Sequence, residues 1–95
     1  MKLARLFIPK YPNYQVKMLE DRLLEAFDGY TQYSLGIGVW KNPETKKVIQ
    51  EPVYVYDVVI DDEDDAALRA ILEEYKVEAA QQSILYILNN EPNFF

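Results

Sequence analysis

The sequence predicts an α+β fold: a four-stranded antiparallel sheet with two helices on one face. Three observations predict it. Residues 31–40 and 48–60 alternate at strand period on either side of a polar turn and read as one long hairpin. Residues 13–27 and 61–82 place apolar side chains at helical spacing. Two short apolar runs, 2–8 and 83–88, complete a strand–helix–strand–strand–helix–strand order.

The first strand, Lys2 to Ile8, is stopped by Pro9 and Pro12, which cannot donate to a ladder. Asn13 is a good N-cap for the first helix, whose buried stripe is Val16, Leu19, Leu23, Ala26 and Phe27. Lys17, Glu20, Asp21 and Glu25 are expected to face water, and Gly29 to end the helix. The second strand runs from Thr31 to Trp40. Lys41 to Lys47 is a polar tip with a turn-forming Asn42-Pro43 pair. The third strand, Val48 to Ile60, would exceed ~40 Å unbroken, so Pro52 is expected to mark a bulge or bend. Its outer half is expected to overhang the domain as an arm.

Asp61 to Asp65 is an acidic run that opens the second helix, with Leu68, Ile71, Leu72, Tyr75 and Ala79 on its buried stripe. Acids there complement the helix dipole. Asp61, Glu63 and Asp65 echo a calcium loop but lack its glycine and its late bidentate Glu, so capping is the preferred reading. Ser83 to Leu88 is the last strand, and 89–95 is read as a polar tail. Right-handed crossovers place the first strand between the third and the fourth, leaving the second and fourth as edges. This is the ferredoxin-like arrangement.

Ninety-five residues make one domain, read as 1–95 with its tail. The net charge is −6 and the ten Lys and Arg do not cluster, so nucleic acid and anionic membranes are poor partners. The absence of Cys removes disulfides and thiolates. The absence of His removes the commonest general base and zinc ligand. No metal or cofactor is expected. No signal peptide or membrane span is legible, and a cytoplasmic location is the default.

Both faces of the hairpin are apolar. Val53, Val55 and Val59 point one way; Tyr54, Tyr56, Val58 and Ile60 point the other. The helices of a two-layer fold cover only one face. The second is expected to meet another copy of the chain, as a dimer or trimer. Tyr33, Trp40, Tyr54, Tyr56 and Tyr86 are strand aromatics suited to an interface or a stacking pocket. Ser34, Gly36 and Gly38 leave a side-chain-poor strip ending at Trp40. It either admits a flat ligand or makes room for tyrosines across the hairpin. Arg5, Glu51 and Asp57 are charges inside apolar strands, and neighbouring strands would let Arg5 pair with Asp57. Such charges serve either a polar ligand or edge protection.

From Gly29 to Ile84 the chain resembles a family of small bacterial proteins of unknown function. The matching residues are Gly29-x-Thr31, Gly38-x-Trp40, Glu51, Tyr75-Lys76 and Gln81-x-Ser83. Gln82 stands where that pattern has Glu. The resemblance implies a ferredoxin-like fold and no activity. The layout is also similar to PII-like signalling proteins, which share the strand order, carry a long excursion between the second and third strands, and form trimers.

The leading expectation is therefore a non-catalytic, PII-like homo-oligomer binding a small ligand or a protein partner. Its pocket would lie between subunits, lined by Tyr33, Trp40, Tyr54 and Tyr56, with Arg5, Glu51 or Asp57 supplying polarity. One alternative is a dimeric α+β-barrel enzyme using Glu51 or Asp57 as a buried base. Another is an interaction module docking through its arm or its Phe94-Phe95 tail.

Overall fold

The computed structural model describes residues 1–9, 13–79 and 84–94, without the side chains of 13–15, 34, 93 and 94. The chain forms β1 (Lys2–Pro9), α1 (Asn13–Phe27), β2 (Thr31–Lys41) and β3 (Val48–Ile60). A 3-10 turn at Asp62–Asp64 leads into α2 (Asp65–Glu78), followed by β4 (Leu85–Leu88) and β5 (Glu91–Phe94). The sheet order is β2-β3-β1-β4-β5, and every pairing is antiparallel. The expected order of the first four strands is present, with a fifth added at the end. Among the described residues, no helix is long and apolar enough to cross a membrane.

Alternation sorts the sheet into two faces. Ala4, Leu6 and Ile8 of β1, Tyr56, Val58 and Ile60 of β3, and Tyr86 of β4 are buried beneath the helices. They meet Val16, Leu19 and Leu23 of α1 and Leu68, Leu72 and Tyr75 of α2. The Tyr75 hydroxyl spans this core and donates to the Pro9 carbonyl at 2.7 Å, so its polar end is satisfied where it is buried. The opposite face has no helix. There β1 presents Leu3, Arg5 and Phe7, and β3 presents Val53, Val55, Asp57 and Val59.

Several expectations are corrected. Residues 89–95 are not a simple tail: Asn89 and Asn90, at φ 53° and 70°, make a two-residue turn that returns β5 onto β4. Two consecutive left-handed residues are what a tight hairpin turn requires, and Asn tolerates that region. β4 is therefore not an edge. The first helix ends through Asp28, at φ 64°, whose N–H donates to the Leu24 carbonyl, while Gly29 has no positive φ. Ala26 is exposed, although its spacing placed it in the stripe. The hairpin irregularity lies between Tyr33 and Leu35, and the ladder runs unbroken through the Ile37–Pro52 rung. Among the described residues β1 pairs no further than Val53, which leaves β3 one free edge from Pro52 outward, where a missing N–H is tolerated. The N-cap reading of Asn13 and the Gln81, Gln82 and Ser83 junction lie outside what the structure describes.

Beyond β1, the rungs from Ile37–Pro52 to Lys41–Val48 form a free two-stranded arm. Five residues at strand rise extend roughly 16 Å. Its tip is well built: Asn42 Oδ1 accepts the N–H of Glu44 at 2.8 Å and of Thr45 at 3.1 Å. The Asn42 N–H also donates to the Lys47 carbonyl at 2.8 Å.

Candidate functional site

Two polar groups interrupt the open face of the sheet. The first is centred on Asp57. Its Oδ1 accepts Arg5 Nε at 2.8 Å, and its Oδ2 accepts Arg5 Nη2 at 3.0 Å. The Tyr33 hydroxyl donates to the same Oδ2 at 2.9 Å. The Arg5 guanidinium also lies 5.5 Å from the centre of the Tyr33 ring. Arg5 and Asp57 face each other because β1 and β3 pair in that register, as expected from the strand order. Tyr33 enters because β2 places Thr31 opposite Asp57 and Tyr33 opposite Val55. The fork of hydrogen bonds from Arg5, with the Tyr33 hydroxyl, holds the Asp57 carboxyl below its usual range against a smaller opposing effect of burial. A carboxylate stabilised in this way is a weaker base than a free one.

The second group lies six residues along β3, on the order of 20 Å away at strand rise. Glu51 pairs in register with Gly38, and Trp40 with Ile49. At Gly38 a Cβ would stand 3.4 Å from the Trp40 ring, 3.4 Å from Val53 and 3.7 Å from the Glu51 carbonyl. The Trp40 ring thus lies against Gly38, and the strip is floored by backbone and bounded by the indole. Glu51 is half-buried and forms no ion pair with another described residue. Desolvation alone pushes its carboxyl up. Its charge in turn adds to burial in raising the Tyr75 hydroxyl. A partly desolvated carboxylate with no ion pair among the described residues, one rung from an aromatic side chain, is suited to an organic cation.

The sheet separates Tyr54 and Tyr56 from these groups. Both pack toward the helices, where Tyr56 is fully buried. The Tyr56 ring meets Tyr30 and Tyr54 edge-on at 5.5 and 6.4 Å. Its hydroxyl donates to Glu20 Oε2 at 2.6 Å. Glu20 was read as a solvent-facing helix residue. The missed signal is that a buried Tyr needs an acceptor, and Glu20 lies on the helix beside Leu19 and Leu23. Burial first, and then the Glu20 bond, raises the Tyr56 hydroxyl, so it stays protonated as a donor. A shallow groove on α1, lined by Lys17, Met18, Asp21 and Arg22, lies apart from both polar groups. Its charges are already paired, Lys17 with Asp21 and Arg22 with Glu74.

No family model and no curated protein matches the chain. Solved structures do. A phage SAM lyase in complex with S-methyl-5'-thioadenosine has a TM-score of 0.73 at 11% identity, covering 99% of this chain and 88% of that one. A phage SAM lyase in the apo state has a TM-score of 0.74 at 12% identity, covering 99% and 87%. At this identity the likeness establishes a shared α+β fold. These neighbours overturn the expectation of a non-catalytic, PII-like regulator: the architecture that spans the chain from end to end is one that carries an enzyme.

Proposed function

We propose that this chain is an enzyme acting on a sulfonium nucleoside of the S-adenosylmethionine class, and that Glu51, Trp40 and Gly38 form its cation-holding strip. The observation that carries the proposal is the end-to-end match of the fold to a lyase of that substrate. Glu51, half-buried and without an ion pair among the described residues, supports it locally.

The chemistry follows from the substrate's charge. S-methyl-5'-thioadenosine is what remains of S-adenosylmethionine once the bond from sulfur to the four-carbon amino-acid chain breaks. The electron pair stays on sulfur, which becomes neutral. The carbon it leaves bonds to the fragment's own carboxylate oxygen and closes a lactone, so no water or second reactant is consumed. The enzyme's task is then to hold the sulfonium and fold the chain for ring closure. Glu51 supplies the counter-charge, and the Trp40 face adds a cation–π contact worth about 0.5–2 kcal/mol.

The test is to incubate the purified chain with S-adenosylmethionine and separate the products by liquid chromatography and mass spectrometry. S-methyl-5'-thioadenosine with a four-carbon lactone is expected; no turnover overturns the reading. Glu51→Gln is expected to raise KM by about tenfold and to change kcat less. A counter-ion holds the charged ground state more strongly than a transition state losing its charge. A kcat loss with a shifted acid limb in the pH profile would instead make Glu51 a base. Gly38→Val fills the strip and is expected to weaken binding while leaving the buried core untouched.

A further inference from the structure

We propose that the arm formed by β2 and β3 docks onto a second copy of this chain, seating its lysine tip against the acidic residues 61–63 that lead into α2. The proposal is independent of any activity.

The arm is apolar on both sides. Leu35, Ile37, Val39 and Val48 share one face, and Trp40 and Ile49 lie on the other. All six are more than a third exposed, and Ile37 reaches 65%. Leu35, Ile37, Val39 and Val48 follow one another along one face, so the exposure there is a continuous patch rather than scattered side chains. Patches of that kind mark association surfaces. The proposed ligand strip lies on the face of Trp40 and Ile49 and leaves the exposure of Leu35, Ile37, Val39 and Val48 on the opposite face unexplained.

Charge identifies the occupant. Lys2, Arg5, Lys17 and Arg22 each hold an acid within the fold. Lys41, Lys46 and Lys47 at the arm tip hold none among the described residues. The tip is also fixed in shape, with Asn42 bonding Glu44, Thr45 and Lys47, so its cations are presented at little entropic cost. In the same chain, Asp61, Asp62 and Glu63 are exposed in a row at the start of the 3-10 turn. The Asp62 carboxylate meets the terminal amine of Met1 at 3.3 Å through a largely exposed pair, while its carbonyl accepts Lys2 Nζ at 3.4 Å. One chain thus carries a basic tip without an ion pair among the described residues, beside an apolar patch, and an acidic segment at the far end of β3. β3 itself separates them, so tip and acids cannot meet within one molecule. They can meet between two, by reciprocal or head-to-tail contact.

The test is sedimentation equilibrium of the full chain at micromolar to tens of micromolar concentration. Self-association is expected, weakening at least tenfold between 50 and 500 mM salt because exposed charges are screened. Lys46→Glu with Lys47→Glu is expected to weaken it at least tenfold. Mixing that variant with Asp62→Lys, Glu63→Lys protein is expected to restore association between the two. Both pairs are exposed, and circular dichroism checks that each variant is folded. A wild-type chain monomeric throughout the range overturns the proposal, as does association unaffected by reversing the lysines. Association that the reversed lysines abolish and the reversed acids do not rescue assigns the tip to another anionic partner and also overturns it.

Discussion

Asp57 receives three hydrogen bonds, two from Arg5 and one from Tyr33, on a face of the sheet without helices. Its folded carboxyl titrates below the value of about 3.9 expected of an unfolded Asp. Between those two values the unfolded chain binds more protons than the folded one, so stability rises with pH there. The contribution is complete above about pH 5 and is lost as pH falls through the depressed folded value. Arg5 is raised, not lowered, and stays charged throughout, so it adds no titration in this window. Asp57→Asn is therefore expected to lower the urea midpoint at pH 7 and to flatten its fall below pH 4. An unchanged acid limb would show that another carboxylate governs it. The Arg5–Asp57 pair was legible because strand order alone sets those residues on neighbouring strands. The Glu20–Tyr56 bond was not. Helical periodicity sorts Glu20 by charge onto the wet side, and only the depth of Tyr56 in the sheet reveals that its hydroxyl must be met there.

At the scale of elements, local propensity and tertiary context contributed unequally. Both helices, the long hairpin and the first strand follow from periodicity, although Ala26 of the α1 stripe is exposed. β5 escaped because Glu91-Pro92-Asn93 has no apolar alternation. Its signal is instead the Asn89-Asn90 pair, a turn that admits two left-handed residues. Proline chemistry points to a bulge or bend at Pro52 of β3, but proline at an edge without a β1 partner needs no break, and the irregularity lies in β2 between Tyr33 and Leu35. If the turn specifies β5, then Asn90→Val should cost about 1–2 kcal/mol, the penalty of a branched side chain in the left-handed region. Asn90→Gly should be neutral or slightly stabilising, because glycine is preferred at that turn position. Denaturant titration reads both. Equal stability of the two variants would mean that β4 and β5 do not depend on the turn.

At the scale of the molecule, the chain divides into a core that folds and an arm that reaches out. Every described residue of the buried cluster lies in β1, the helices and the Ala79 cap of α2, β4 and its approach, or the inner half of β3. The outer rungs contribute none of it. Natural proteins seldom leave a long apolar hairpin in water without a use, because it invites aggregation. The proposed activity and the proposed docking both assign it one, since Gly38, Trp40 and Glu51 lie on the same arm as the lysine tip. Replacing residues 38–51 by Asn-Gly, so that Ile37 joins Pro52 through a tight turn, should therefore leave stability largely intact. The thermal midpoint is expected within a few degrees of wild type, since no core contact is lost and loop closure is shortened. Association and binding of S-adenosylmethionine should both disappear. Calorimetry and sedimentation on the shortened chain read the outcome. A collapse of the thermal midpoint would show that the arm is part of the folding unit. A stable chain that still associates would place the interface on the remaining open face, around Leu3, Val55 and Val59.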